Sequence, residues 1–393
     1  MSETIIDAQL EIAMQVAHNV APPTKIVELA LTQANGHVLA VEVKAKSNLP
    51  PFRAARVDGY AVVGLGPWQQ IGSNLAGDVS DQKIADGQCI YIATGAALPQ
   101  PITTVLKQED CLLNENIVTA KFDFKEGENI RPIAAEAKIE EVLIEPQTKL
   151  TPALIGLAAA AGYEQVTVYE KPLVDVLICG DELIQTGPAE LGKVRDSIGP
   201  AIADWITHLG GQLNEVQYVA DDLVAHINAI RKSAAHLVIT TGGTASGPVD
   251  FVHQAIQDSN GLILIDAVLV RPGYHQILAQ LPDKYLIGLP GNPQSAVIGL
   301  LTMVRPFLAG STAQKFPTFE RRILDMDILA PEKEHRFVLC REIQAIDKVG
   351  LIEPVDYLDS SMLRGFVNAT GYAIVEPGGQ TKGAIVDWLP LPN

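Results

Sequence analysis

The segment from Val174 to Leu308 constrains the fold most, because short apolar runs alternate there with stretches of helical length. Residues 174–179, 214–219, 236–240, 262–270 and 285–289 read as strands, and 200–209, 222–234, 249–257 and 294–308 read as helices. A strand that is apolar throughout is buried on both faces, and a helical crossover joins strands that run parallel. The pattern predicts a parallel sheet covered by helices, of the α/β class. In such sheets ligands bind beyond the carboxyl ends of the strands.

The flanks have a different texture. Ile5, Ile6, Leu10, Ile12, Met14 and Val16 predict a helix over 4–19, Pro22-Pro23 ends it, and a second helix is expected over 24–34, before Asn35-Gly36. From 47 to 142, short β-rich runs at 60–63, 89–93 and 103–106 are separated by Gly, Pro and Asp turns. An alanine-rich helix over 151–162 follows. After Pro317 short strands return at 321–328, 336–346, 349–354, 372–376 and 384–388, which predicts a C-terminal β domain. A chain of 393 residues has room for two to three domains. With 47% apolar and 19% charged residues it is globular, not disordered. A net charge of −17 argues against nucleic acid and anionic membrane as partners, while leaving room for a small anion at a local basic patch. Cys89, Cys111, Cys179 and Cys340 have no metal-ligand spacing and suit a reducing cytoplasm. The N-terminus has no signal-peptide pattern, and no apolar run is long enough to predict a membrane span.

Several segments carry chemistry at the strand ends. Thr241-Gly242-Gly243-Thr244-Ala245-Ser246-Gly247 follows a strand, where glycines let the backbone approach a ligand and N–H groups and hydroxyls suit an oxyanion. A tight strand-to-helix turn explains the same residues structurally. Pro290-Gly291-Asn292-Pro293-Gln294-Ser295-Ala296 opens a helix, with Asn292 placed to cap it; the alternative is an anion on the helix N-terminus. Asp181 and Glu182 end a third strand and suit Mg²⁺ or a turn. Asp58, Asp221, Asp222 and Asp250 are more often turn or cap residues than functional ones. Gly187 to Lys193 imitates a P-loop, but Val194 stands where the magnesium-ligand hydroxyl belongs, and no buried strand leads into it.

Taken in order, these segments form a recognisable set. They are Pro51-Phe52, Val57-Asp58-Gly59-Tyr60-Ala61-Val62, Ile92-Ala93-Thr94-Gly95-Ala96, Gly127-Glu128-Asn129-Ile130-Arg131, Gly180-Asp181-Glu182-Leu183, Asp221-Asp222, Thr241-Gly242-Gly243 and Pro290 to Ala296. The set resembles the molybdopterin molybdenumtransferase family, that of MoeA and the gephyrin E domain, over essentially the whole chain. The resemblance implies an elongated multidomain homodimer, α/β plus β. Its parts would be a linker domain from 1–46 and 143–172, an inserted β-rich domain over 47–142, a molybdopterin-binding-type α/β domain over 173–316, and a C-terminal β-barrel-like domain over 317–393. It implies a cytoplasmic enzyme that inserts molybdate into adenylylated molybdopterin with Mg²⁺ and releases AMP, with the molybdopterin adenylyltransferase as a further partner. Asp58, Thr94, Glu182, Asp222 and Asp250 would be catalytic, with Asp58 and Thr94 supplied by the other subunit. Asp181, Glu182, Asp221 and Asp250 would hold the metal. Thr241, Gly242, Gly243, Ser246, Arg271, Pro290, Gly291, Asn292 and Ser295 would receive the pterin and its phosphate.

The chain also departs from the family pattern. Ala54-Ala55-Arg56-Val57 replaces Asn-Ser-Ala-Met, Ser197-Ile198 replaces Ser/Thr-Asn, and Arg271-Pro272-Gly273-Tyr274-His275 replaces Lys-Pro-Gly-Lys-Pro. Two readings follow. Either Arg53, Arg56, Arg195 and Arg271 replace the lost donors in a working pocket, or the chain keeps the fold and dimer as a pterin-binding or regulatory protein without turnover.

Overall fold

The computed structural model describes residues 4–78, 82–245, 247, 250–346 and 349–392. Two compact units emerge, Met1–Val27 with Tyr169–Asn393, and Glu28–Val168.

The first unit is built on a seven-stranded sheet. Its order is Ile5–Ala8, Leu262–Val268, Ile277–Gln280, Tyr285–Leu289, Leu237–Thr241, Leu173–Cys179, Gln212–Val219. The last four strands in that order are mutually parallel, as expected. Ile277–Gln280 departs from expectation: it is antiparallel to both neighbours, so the sheet is mixed. The link Leu281–Lys284 is too short for a crossover, and the Leu281 N–H donates to the Lys284 carbonyl at 2.9 Å, closing a hairpin. Helices Gly199–Leu209, Leu223–Lys232 and Val252–Asp258 cover the sheet. Ile202, Ile206, Val176, Ile178, Ile239 and Ile287 share one buried cluster, and Leu177, Val238, Leu286, Ala229 and Ile256 share the other. The two sets alternate along the strands, which is how a period of two buries both faces.

The N-terminal stretch corrects the expectation for 4–19. Ile5–Ala8 is a strand parallel to Leu262–Val268, and the helix is Leu10–Val20. Leu10, Ala13, Met14 and Ala17 are buried on one side of that helix. It packs so near helix Arg305–Ser311 that a Cβ on Gly310 would lie 2.1 Å from the His18 carbonyl oxygen. That burial ties Met1–Val27 to the α/β unit, although 1–46 was expected in a linker. The expected helix over 24–34 is instead strand Ile26–Ala30 followed by a short 3-10 turn, Leu31–Gln33. Its β-branched start favours pairing, here beside Gln165–Tyr169.

The helix expected over 294–308 runs as Pro293–Gly299, a π turn Leu300–Val304, and Arg305–Ser311. Pro306 lacks an N–H and would clash with a carbonyl one turn back, and a π turn opens the spacing there. Beyond it, Glu320–Leu324, His335–Ile346, Val349–Pro354, Gly371–Val375 and Ile385–Pro390 close into a five-stranded barrel. Val270–Arg271 adds to its edge, parallel to His335 and Arg336.

The second unit carries a six-stranded sheet in the order Cys111–Asn114, Ile117–Ala120, Trp68–Asn74, Gln88–Ile92, Gly59–Val62, Thr104–Lys107. Helix Pro152–Ala160 belongs to it, with the Thr151 hydroxyl accepting the Leu154 N–H. Among the described residues no helix is long and apolar enough to cross a membrane.

Candidate functional site

In the α/β unit the parallel strands deliver their carboxyl ends to one edge. Ile178 pairs with Thr241, Thr241 with Leu289, and Cys179 with Val219. Gly180-Asp181-Glu182, Asp221-Asp222, Thr241-Gly242-Gly243 and Pro290-Gly291-Asn292 therefore leave the sheet side by side. Their backbones nearly touch: a Cβ on Gly242 would lie 3.0 Å from the Cys179 carbonyl oxygen, and one on Gly291 would lie 3.5 Å from the Gly242 Cα. Gly242 and Gly243 also have φ of 88° and 68°, which side chains rarely adopt.

Close quarters decide which donors remain. The Gly242 N–H donates to the Leu289 carbonyl at 2.9 Å, so it is not free for an anion. Asp250 accepts the Gly247 N–H at 2.6 Å and closes its own turn. Asp222 caps helix Leu223–Lys232 by accepting the Ala225 N–H at 2.8 Å. The Glu182 carboxylate lies over Gly180, 2.6 Å from where a Cβ would be. Asp181 and Asp221 are brought together: Asp221 Oδ2 accepts the Asp181 N–H at 3.1 Å, and Asp181 Oδ1 accepts the Asp221 N–H at 3.3 Å. Among the described residues no three His, Cys, Asp or Glu side chains gather into a metal-holding group, so Asp181, Glu182, Asp221 and Asp250 do not form one ready cage. Ser246 lies outside the described residues.

Behind the glycines, two buried polar atoms lack a partner among the described residues, Thr240 Oγ1 and His226 Nε2. His226 is fully buried, its Nδ1 lies 2.9 Å from the Asp222 carbonyl oxygen, and its Nε2 lies 3.7 Å from the Cβ position of Gly243. Burial raises the neighbouring Cys179 thiol to about 12, which leaves it unreactive.

Arg271, Pro290, Asn292 and Ser295 line one cavity of about 460 Å³, together with Tyr274, His275, Glu334 and Ser360. Asn292 was expected to cap the helix, yet its side chain makes no cap bond; it donates instead to Ser360 Oγ at 3.2 Å. The first helical donor is taken from outside, since the Gln294 N–H donates to the Ser360 carbonyl at 3.0 Å. The Gln294 side-chain amide also donates to Tyr357, Asp359 and Met362 carbonyls. One buried glutamine thus holds the 357–362 segment against the helix start. Tyr274 donates to Asp7, and that bond, with burial second, raises its hydroxyl to about 12.

In the 28–168 unit, Asp58 and Thr94 meet. Asp58 Oδ1 accepts both the Thr94 N–H, at 2.6 Å, and its hydroxyl, at 2.7 Å. The hydroxyl first, and then the N–H, hold this exposed carboxyl below its usual range. A larger cavity of about 680 Å³ in this unit, lined by Trp68, Phe122 and Phe124, contains none of the candidate residues.

Three of the four arginines expected to replace lost donors, Arg53, Arg195 and Arg271, have other partners. Arg53 donates to the Ile102 carbonyl at 2.9 Å and Arg195 to the Ile184 carbonyl at 3.0 Å. Arg271 is 3.6 Å from Glu334. The spacing of motifs carried no sign of Glu334 or Ser360, which come from the barrel. Nothing in the sequence sets His226 apart from the other seven histidines.

Comparison with known proteins gives a consistent picture. Residues 6–162 match a family model described as the MoeA N-terminal region, domains I and II, and residues 175–310 match a probable molybdopterin binding domain. A molybdopterin molybdenumtransferase of Staphylococcus epidermidis is 31% identical over 376 residues, covering 91% of this chain and 88% of that protein. One from Staphylococcus aureus is 28% identical over 327 residues, covering 79% and 78%. The crystal structure of a molybdopterin biosynthesis moeA protein from Pyrococcus horikoshii OT3 aligns over 98% of this chain and 100% of that one, with a TM-score of 0.78 at 20% identity. That last likeness concerns the fold.

Proposed function

Because this chain belongs to the molybdopterin molybdenumtransferase family, we propose that it acts in molybdenum cofactor biosynthesis, inserting molybdate into adenylylated molybdopterin and releasing AMP. The observation that carries the reading is the edge where four strand ends, bearing the family's motif residues, stand beside the Arg271–Asn292–Ser295 cavity.

Cleaving the bond between two phosphates requires that developing negative charge be met by cations and oriented donors. Mg²⁺ is commonly held by one or two carboxylates, with water and substrate phosphate completing its shell. Asp181 and Asp221 fit that mode: their exchange of N–H bonds leaves Asp181 Oδ2 and Asp221 Oδ1 outside it. When bound, the ion would neutralise phosphate charge. Asp222 and Asp250 shape the surrounding loops through their cap and turn bonds, and Gly242 and Gly243 keep the loop low enough for a ligand to approach. Asn292, Ser295 and Ser360 supply neutral donors for an oxyanion. Asp58, held ionised by Thr94, is assigned as a second acidic element. A homodimer and a cytoplasmic location are parts of the same reading.

A second reading, a family member that binds pterin without turnover, is favoured by the fates of Arg195 and Arg271, each already engaged within the chain. The deciding experiment is AMP release from adenylylated molybdopterin by the purified protein with Mg²⁺, with and without molybdate. Molybdate-dependent release supports the transferase. None, beside an active family member as control, supports the second reading.

A further inference from the structure

The cavity beside Val270–Arg271 contains a charge pair that an anion site does not need. Arg271 Nη1 stands 3.6 Å from Glu334 Oε2, and both residues line the cavity. The pairing is built into the backbone. Val270 and Arg271 run parallel to His335 and Arg336, and the His335 N–H donates to the Leu269 carbonyl at 3.0 Å. Glu334, the residue before that ladder, is thereby delivered beside Arg271. The carboxylate is the more enclosed partner, with 17% of its side chain exposed against 69% for Arg271. Arg336 does not tip the balance, because its guanidinium donates to the Leu329 carbonyl at 2.7 Å and it lines the adjoining cavity instead. Besides His275, Arg271 and Glu334 are the ionisable groups of opposite sign in the lining, and their charges cancel.

We propose that Glu334 is a specificity-determining residue of this cavity: by balancing Arg271 it disfavours dianionic tetrahedral oxyanions relative to monoanionic ones. Repulsion from a fixed carboxylate doubles when the ligand's charge doubles, while shape and hydrogen bonding stay the same. A dianion is then held only as far as it draws Arg271 away from Glu334, and an exposed ion pair of this kind resists that weakly. The proposal rests on the reading of this cavity as an oxyanion site.

The test is calorimetric titration of the full chain with molybdate, a dianion, and perrhenate, a tetrahedral monoanion. Glu334→Gln is expected to raise molybdate affinity about tenfold, or about 1.4 kcal/mol, and perrhenate affinity about threefold. Arg271→Gln should weaken both, and Glu334→Asp, which keeps the charge, should keep the wild-type ratio. A molybdate-to-perrhenate ratio that does not move in Glu334→Gln overturns the proposal, as does the absence of binding by every variant. Should the ratio move while AMP release is missing, the transferase reading fails and the proposal stands. Should AMP be released while the ratio stays fixed, the opposite holds.

Discussion

Acidic residues are held in opposite ways in the two units. In the 28–168 unit, Asp58 stands in the open, and one of its oxygens takes two donors from Thr94. Donors lower its pKa, so it is ionised without help. In the α/β unit, Asp181 and Asp221 face each other, each accepting one backbone N–H. Two carboxylates on neighbouring strand ends, each with one oxygen outside that exchange, can together hold a divalent cation. The first site is completed by donors of the chain itself; the second would be completed by a cation. The two should therefore fail differently when altered.

The largest expected effect is at the lone carboxylate. Asp58→Ala should lower turnover about 10²-fold or more, the scale for loss of one oriented electrostatic group at a reacting centre, with the melting temperature little changed because the side chain is exposed. Steady-state AMP release with a thermal melt checks it, and full activity would remove Asp58 from the mechanism. Asp221→Asn should act through the ion instead, raising the Mg²⁺ needed for half-maximal turnover about tenfold, or about 1.4 kcal/mol. The same Mg²⁺ titration of Asp58→Ala should keep the wild-type midpoint; if both variants shift alike, the contrast between the two sites is lost. Gly242→Ala should destabilise the α/β unit by about 1–2 kcal/mol, since its φ of 88° lies in the left-handed region. A chemical-denaturation midpoint equal to wild type would show that the loop relaxes around the new Cβ. The smallest effect is Thr94→Val. It removes the hydroxyl that is the first cause of Asp58's lowered pKa, so the carboxyl should move back up toward its ordinary value. A group with a lowered folded pKa stabilises above the unfolded value and loses that contribution as pH falls through the folded one. In both proteins that loss starts at the unfolded value, so the variant should lose less stability on acidification and stop losing it at a higher pH, while NMR titration of the Asp58 carboxyl carbon reads the raised midpoint.

Period and punctuation made much of the fold readable. The strands at Leu173–Cys179, Leu237–Thr241 and Tyr285–Leu289 are mostly apolar and buried on both faces, and the charged exception Asp175 is matched by donors from Asn214 and Ser233. Ile277–Gln280 was missed although Pro272-Gly273 and Pro282-Asp283 bracket it, because four residues are too few to display a period of two. The strand Ile26–Ala30 was missed because its β-branched start and alternating exposure carry little weight against a helical spacing of apolar residues. Its state is settled by a partner more than a hundred residues away in the chain. The site divides in the same manner. Loops at strand ends were readable, since topology alone places them on one edge. The fates of single side chains were not: whether Asn292 caps a helix or bonds Ser360, and whether Arg271 is free or paired, depends on residues supplied by the barrel.

The chain enters and leaves the 28–168 unit along neighbouring paths. Thr24 Oγ1 donates to the Glu170 carbonyl, the Glu170 N–H donates to the Lys25 carbonyl at 2.8 Å, and strands Ile26–Ala30 and Gln165–Tyr169 lie next to each other. To the α/β sheet, everything between those crossings is one long loop with its ends already clasped. The entropy of closing a loop grows only with the logarithm of its length, so the sheet is nearly indifferent to how much chain is threaded there. A clasp of this kind lets the inserted unit lengthen, shorten or change its surface over generations while the strand-end edge keeps its register.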